Sequence, residues 1–240
     1  AGGASWWMGA EVFNFSSSNN HAGNPGGAVH ADGPLTVQGC TFRVNNAVLV
    51  PRPETELLVQ HMVTRFKSAK KGFTILDIGT GSGCVAVSLA LELPQANILA
   101  TEVSPEAMAV AKENAALLDA NVAFYTHNIL EKPLHFGPLS AIVCNPPYIP
   151  EKDKATLDKN VSLYEPALAL FVPDNNPLLF YKVIAAKANQ ALMHGGLLMM
   201  EINQRFGSET SDVFSSVGFT GVEIVKDLNG NDRFVKGFRA

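Results

Sequence analysis

Between residues 73 and 238, short β-rich runs alternate with helical stretches, and this alternation limits the fold more than any other feature of the chain. Strands are expected at residues 73–78, 98–103, 122–125, 139–144 and 197–202. Two more, 222–228 and 233–238, flank Asn229-Gly230, a strong hairpin signal. One helix follows a Gly-rich turn and runs to about Leu93. A second opens with Ser104 as N-cap and Pro105 in the first helical position, and runs to about Leu118. A third is expected from about Pro177 to His194, stopped by Gly195-Gly196 as a left-handed cap. A fourth lies near residues 207–217. Strands separated by helices demand a mainly parallel sheet covered on both faces. Ligands of such sheets bind beyond the carboxyl ends of the strands.

Composition narrows the function. Hydrophobic residues make up 47% and charged residues 17%, values of a soluble domain with a core. Lys and Arg number 18 against 22 Asp and Glu, so 18 − 22 gives a net charge of −4. Such a chain is poorly suited to gripping nucleic acid by phosphate charge alone. It has no run of about 18 apolar residues, so no transmembrane helix is expected. Cys40, Cys84 and Cys144 match neither a disulfide framework nor a zinc pattern, and no His pair has ligand spacing; no metal is expected.

The start of the chain differs. The first Lys or Arg is Arg43, and residues 1–42 hold 8 of the 20 Gly, a polar run at 16–20 and the adjacent Trp6 and Trp7. This reads as loop or short strands, and not as a signal peptide. Because the chain opens on Ala1, a missing upstream piece is expected. Gly26-Gly27-Ala28-Val29 followed by residues 35–42 resembles one rung of a parallel β-helix, a single copy of a fold that needs several. Three segments result: an atypical stretch, 1–41; a connecting hairpin and helix, 42–72; and a catalytic domain, 73–240.

Asp77-Ile78-Gly79-Thr80-Gly81-Ser82-Gly83 follows the first strand and opens a helix. Glycines there allow a tight turn and close approach to a ligand. Glu102 ends the second strand, where a carboxylate can accept both hydroxyls of a ribose. The spacing Gly79-x-Gly81-x-Gly83 is one residue tighter than the dinucleotide fingerprint, and no second mononucleotide half follows. S-adenosylmethionine is therefore favoured over a dinucleotide. Asn128 and Ile129, just past the third strand, sit where an adenine would lie.

Asn145-Pro146-Pro147-Tyr148 leaves the fourth strand. The prolines fix φ and confine Asn145 to extended backbone. The result is a rigid pair of acceptors, the Asn145 side-chain oxygen and the Pro146 carbonyl, suited to the two protons of a planar NH2 group. Tyr148 can stack on that group. The nitrogen of an amide or aromatic amine is a poor nucleophile. Two hydrogen bonds would aim it at a sulfonium methyl and stabilise the positive charge that develops. With so good a leaving group no strong base is needed, in keeping with the lack of a Ser/His/Asp or paired-carboxylate constellation.

From Phe42 onward the sequence resembles the HemK-type (PrmC) protein-(glutamine-N5) methyltransferases that modify peptide chain release factors. The resemblance rests on the glycine turn, on Asn145-Pro146-Pro147-Tyr148, and on Pro51-Arg52-Pro53-Glu54-Thr55-Glu56. It rests also on Tyr164-Glu165-Pro166-Ala167-Leu168-Ala169-Leu170 and on Asp227-Leu228-Asn229-Gly230-Asn231-Asp232-Arg233. It implies an α/β class I S-adenosylmethionine-dependent methyltransferase, Rossmann-like, with seven strands and a closing hairpin. The implied substrate is the glutamine of the release factors' Gly-Gly-Gln tip. Asn145, Pro146 and Tyr148 would be catalytic, and those three with Pro147, Arg52 and Thr55 would bind substrate. Asp77, Gly79, Thr80, Gly81, Ser82, Gly83, Glu102, Asn128, Ile129 and Asn145 would hold the cofactor, which leaves as S-adenosylhomocysteine.

Pro53 also suits a helix's first turn, with Glu54 and Glu56 favourable at its positive end. Residues 151–176 are polar and irregular enough for a lid, with Tyr164 over the substrate. Two departures stand out. The family usually has an aspartate where Asn128 stands, and residues 1–41 do not resemble its small helical N-terminal domain. A cytoplasmic monomer is expected, with neither membrane nor direct nucleic-acid contact. The runner-up is methylation of an adenine or guanine amino group in DNA or RNA, which uses a similar Asn-Pro-Pro motif but wants a basic groove. A catalytically silent adaptor or surface fragment ranks lower, and a nicotinamide-linked oxidoreductase lower still.

Overall fold

The computed structural model describes residues 40–240 except 158–160 and 162–163, together with three earlier strands. Those are β1 (Ala4–Met8), β2 (Glu11–Phe15) and β3 (Gly33–Val37), and β4 (Cys40–Val44) follows. Next come β5 (Thr74–Ile78), β6 (Asn97–Glu102), β7 (Val122–Thr126) and β8 (Leu139–Cys144). The two-residue β9 (Ile149–Pro150) and β10 (Phe171–Val172) pair with each other. The chain closes with β11 (Leu192–Glu201), β12 (Phe219–Lys226) and β13 (Asp232–Arg239).

Seven strands make the main sheet, in the order β12-β13-β11-β8-β5-β6-β7. Contacts from β11 through β7 are all parallel, and only β13 runs against its neighbours. The strand pattern, including the closing hairpin, matches the expectation. β5, Thr-Ile-Leu-Asp-Ile, is buried from Ile75 onward, as a parallel strand covered on both faces must be. One face of the sheet packs Ile75, Val143 and Met199 against α1 (Pro53–Phe66) and α2 (Cys84–Glu92). The other packs Leu76, Ile142 and Met200 against helix Leu179–Ala191 and against Phe214 of helix Gly207–Ser216.

Local chemistry sets the element ends. Pro53 takes the first position of α1, with Glu54 and Glu56 in its first turn. Ser104 Oγ accepts from the Ala107 N–H at 3.2 Å and caps α3 (Pro105–Leu117). One expected helix end is corrected. The helix stops at Ala191, and Gly195-Gly196 lie inside β11, where the pairing with β8 slips between Leu192 and Leu197. Gly195, at φ +73°, serves a bulge and not a cap. In the closing hairpin, Asn229 and Gly230 sit within a five-residue connection, 227–231. Asp227 Oδ1 organises it by accepting from the N–H groups of Asn229 and Asn231 at 2.9 and 3.0 Å.

Near the start, β1 pairs antiparallel with β2, and β3 with β4. Trp6 and Trp7 belong to β1. The described part of the supposed β-helix rung is therefore an antiparallel hairpin, which closes on its own neighbour; residues 26–29 lie outside the described residues. The hairpin is tied to the main domain. Phe42 enters the core beside Leu58 and Met62 of α1. Val44 and Val48 pack on Ala107 and Val110 of α3.

Candidate active site

The sheet order reverses between β5 and β8, because the chain builds outward from β5 to β7 and then crosses to the other side. Cys144 at the end of β8 pairs with Ile78 of β5 and with Met200 of β11. Gly79 and Asn145 consequently leave the sheet side by side. A cleft of about 240 Å³ opens there, at the carboxyl ends of the strands.

The glycine turn forms one wall. Gly79, Gly81 and Gly83 have φ of +70°, +56° and +82°. A Cβ at Gly79 or Gly81 would meet open space, so there the backbone conformation alone demands glycine. At Gly83 it would also press on Ala111 of α3, 3.1 Å away. The Gly79 and Thr80 N–H groups are held by the Thr101 carbonyl at 2.9 and 3.0 Å. The Thr80 hydroxyl donates to Asp77 Oδ2 at 2.6 Å. Burial pushes the Asp77 carboxyl up to about 7; Thr80 opposes this and the nearby Glu102 charge adds to it. Near pH 7 such a carboxyl is about half protonated, and a nearby cation would favour its ionised form.

Glu102 is held by three backbone N–H groups. Its Oε2 accepts from the Gly81 N–H at 3.0 Å, and its Oε1 from the N–H groups of Val103 and Ser104 at 2.7 and 3.0 Å. With two bonds on Oε1 and one on Oε2, the carboxylate keeps an acceptor site on Oε2, where a ribose hydroxyl would fit. The start of α2 also faces the cleft through Cys84 and Val85, offering a helix N-terminus to a carboxylate. Asn128 and Ile129 line the cleft further along. Asn128 Oδ1 accepts the Leu130 N–H at 3.0 Å. An anion-binding helix start, a ribose clamp and an acid awaiting a cation fit S-adenosylmethionine group by group.

Beside the glycine turn, Asn145, Pro146 and Pro147 also line the cleft, as does the buried Thr55 of α1. Both residues of the acceptor pair expected from the sequence thus line the same cleft as the glycine turn. Three expected residues lie outside the lining. Gly83 is the N-cap of α2, one step behind the turn. Arg52 turns to Glu165, with which it forms an ion pair. Tyr148 sends its hydroxyl to Glu201 Oε1 at 3.0 Å. The segment after the motif supplies Pro166, Leu168 and Ala169 to the cleft, so part of the expected lid does cover it, with Tyr164 half exposed beside it.

Some functional candidates escaped the sequence. Asn114 of α3 is fully buried; its Nδ2 donates to the Ser82 and Arg43 carbonyls at 2.8 and 2.9 Å, while its Oδ1 accepts the Arg43 N–H at 2.8 Å. It ties the glycine turn to β4, and an Asn inside an Ala-rich helix was the available signal. Glu201 is 1% exposed at the end of β11, level with the exit of Asn145. A charged residue ending a run of Leu and Met was its signal.

Comparison with known proteins agrees with this geometry. The "Methyltransferase small domain" family model matches residues 53–167, a span holding both motifs. A release factor glutamine methyltransferase of Flavobacterium psychrophilum is 44% identical over 200 residues, 82% of this chain and 70% of that protein. The chain belongs to the release factor glutamine methyltransferase family. A second relative carrying that description, from Bacteroides thetaiotaomicron, is 41% identical over 84% of this chain and 72% of its own. Among solved structures, a release factor-specific protein-(glutamine-N5) methyltransferase from Alicyclobacillus acidocaldarius superposes with a TM-score of 0.52. It is 29% identical, covering 82% of this chain and 99% of that one. The resemblance read from the motifs is borne out, and the fold is that of the S-adenosylmethionine-dependent methyltransferases.

Proposed function

We propose that this methyltransferase transfers the methyl group of S-adenosylmethionine to the side-chain amide nitrogen of the glutamine in the Gly-Gly-Gln motif of peptide chain release factors. The observation that carries the reading is that Asn145 and Pro146 line the same cleft as the glycine turn and Glu102. When bound, the cofactor supplies an electrophilic methyl on a good leaving group. The chain's residues do the rest. Glu102 takes the ribose hydroxyls, Asp77 and the start of α2 take the amino-acid end, and Asn128 and Ile129 border the adenine. The Asn145 side-chain oxygen and Pro146 carbonyl accept the two amide protons, turning the nitrogen toward the methyl and easing its positive charge. Pro147 keeps that carbonyl in place, and Thr55 and Arg52 shape the rim. In gaining the methyl the nitrogen gives up one of its two protons to solvent, and the thioether would be the leaving group.

The test is incubation of the purified chain with release factor and S-adenosylmethionine, followed by mass spectrometry of the tip peptide. One added methyl on the glutamine supports the reading. An unmodified tip with a methylated DNA or RNA base would instead favour the amino-group alternative. Nothing in the charge pattern favours that alternative: net charge is −4, and the cluster Lys67, Lys70 and Lys71 lies at the far end of α1. No helix among the described residues is long and apolar enough to cross a membrane. We further propose that residues 73–240 carry the chemistry and 42–72 connect to it, and that the protein works in the cytoplasm as a monomer, touching no nucleic acid directly.

A further inference from the structure

We infer that Glu201 is a positioning residue for methyl transfer, acting through Tyr148 to fix the direction of the Asn145–Pro146 acceptor pair; the inference rests on the function proposed above. Two contacts from the exit of β11 grip Tyr148 at opposite ends. Glu201 Oε1 accepts the Tyr148 hydroxyl at 3.0 Å, and Asn203 Nδ2 donates to the Tyr148 carbonyl at 3.3 Å. Asn203 is itself anchored, its N–H reaching the buried Tyr181 hydroxyl at 3.0 Å. Tyr148 follows Pro147 directly. Both prolines have fixed φ, so a clamp on Tyr148 removes the main freedom left to the Pro146 carbonyl.

A merely structural role explains Glu201 poorly. Its Oε2 is buried without a hydrogen-bond partner among the described residues. An apolar side chain of similar size would pack there at lower cost. What the carboxylate adds is a strong, directed acceptor for the one tyrosine of the motif. Burial raises its pKa to about 7; Tyr148, Arg233 and Arg52 oppose the rise and Glu54 adds to it. Tyr181 and Cys144, packed beside it, are neutral there, held so by burial.

The test compares E201A, E201Q and Y148F with the unaltered chain, measuring kcat and KM for release factor across pH 6 to 9 and S-adenosylmethionine affinity by calorimetry. E201A and Y148F are each expected to lower kcat at least tenfold, with cofactor affinity held within about twofold. Combining them should cost little more than either alone. E201Q keeps an acceptor oxygen, so it should recover much of the E201A loss while flattening the fall in kcat below about pH 7. The inference is overturned if E201A leaves kcat within twofold, if cofactor affinity falls in step with rate, or if the two losses multiply. Should the unaltered chain fail to methylate release factor at all, the functional reading fails instead. A double-mutant cycle on thermal unfolding then judges the Glu201–Tyr148 coupling alone, and additive losses there overturn it as well.

Discussion

Through Asp77, cofactor binding is expected to depend on pH. Its carboxyl is buried, bonded to Thr80, and raised to about 7, so below that value it is largely protonated. A ligand bringing an ammonium and a sulfonium prefers the ionised form. Affinity for S-adenosylmethionine should therefore climb as pH rises through about 7 and then level off, with a proton released on binding at lower pH. D77N should bind weakly and without that rise; calorimetry in buffers of different ionisation enthalpy checks both, and a flat profile for the unaltered chain would count against the assignment. Stability follows the opposite sign. The folded state holds the protons of Asp77 and Glu201 up to about 7, whereas the unfolded chain gives them up near pH 4. Their contribution accordingly falls as pH rises from about 4 to 7, by at most roughly 1.4 kcal/mol per unit of raised pKa. Melting temperatures of D77N and E201Q, relative to the unaltered chain, should gain between pH 5 and pH 8. The glycines, Glu102 and Asn145 could be named from sequence because their chemistry is local, each ending a strand or forming a turn. Glu201 could not, because its meaning lies in a contact with Tyr148, 53 positions away.

Among the elements, two joints govern the cleft. The first is the Arg52–Glu165 pair, which holds the covering segment against the start of α1. The Glu165 side chain is 4% exposed, and burial raises its carboxyl pKa against the pull of Arg52. R52A should strand that carboxylate, costing about 1–3 kcal/mol and raising KM for release factor several-fold. The double variant R52A/E165Q should recover part of the stability; equal melting temperatures for R52A and the unaltered chain would show that the pair does not latch the cover. The second joint is Gly83, where α2 meets α3. G83A forces φ +82° on an alanine and pushes its Cβ to 3.1 Å from Ala111. A loss of about 1–3 kcal/mol and a several-fold weaker cofactor affinity are expected, read by denaturant titration and calorimetry. Helix starts were legible because Pro53 and Ser104-Pro105 act within one turn. The stop at Gly195-Gly196 was not: a glycine pair serves a cap or a bulge equally well, and only the pairing with β8 decides between them.

Across the whole molecule, the hairpin β3–β4 joins the early chain to the catalytic domain. β4 sends Phe42 into the core, and Asn114 links its Arg43 backbone to the glycine turn. Removal of residues 1–32 should leave methylation within about twofold. Removal of residues 1–41 takes β3 and the start of β4, and should lower both melting temperature and cofactor affinity; identical behaviour of the two truncations would show that the hairpin does not support the site. By itself the sequence determined the alternating sheet, the glycine turn, the carboxylate at the end of the second strand and the stiff Asn145-Pro146-Pro147 exit, since strand period, turn chemistry and proline geometry act over a few residues. Tertiary structure alone decided that Arg52 latches the cover, that Asn114 braces the turn and that Glu201 holds Tyr148. Those contacts join residues distant along the chain, and only the strand order and register bring such residues within hydrogen-bond reach.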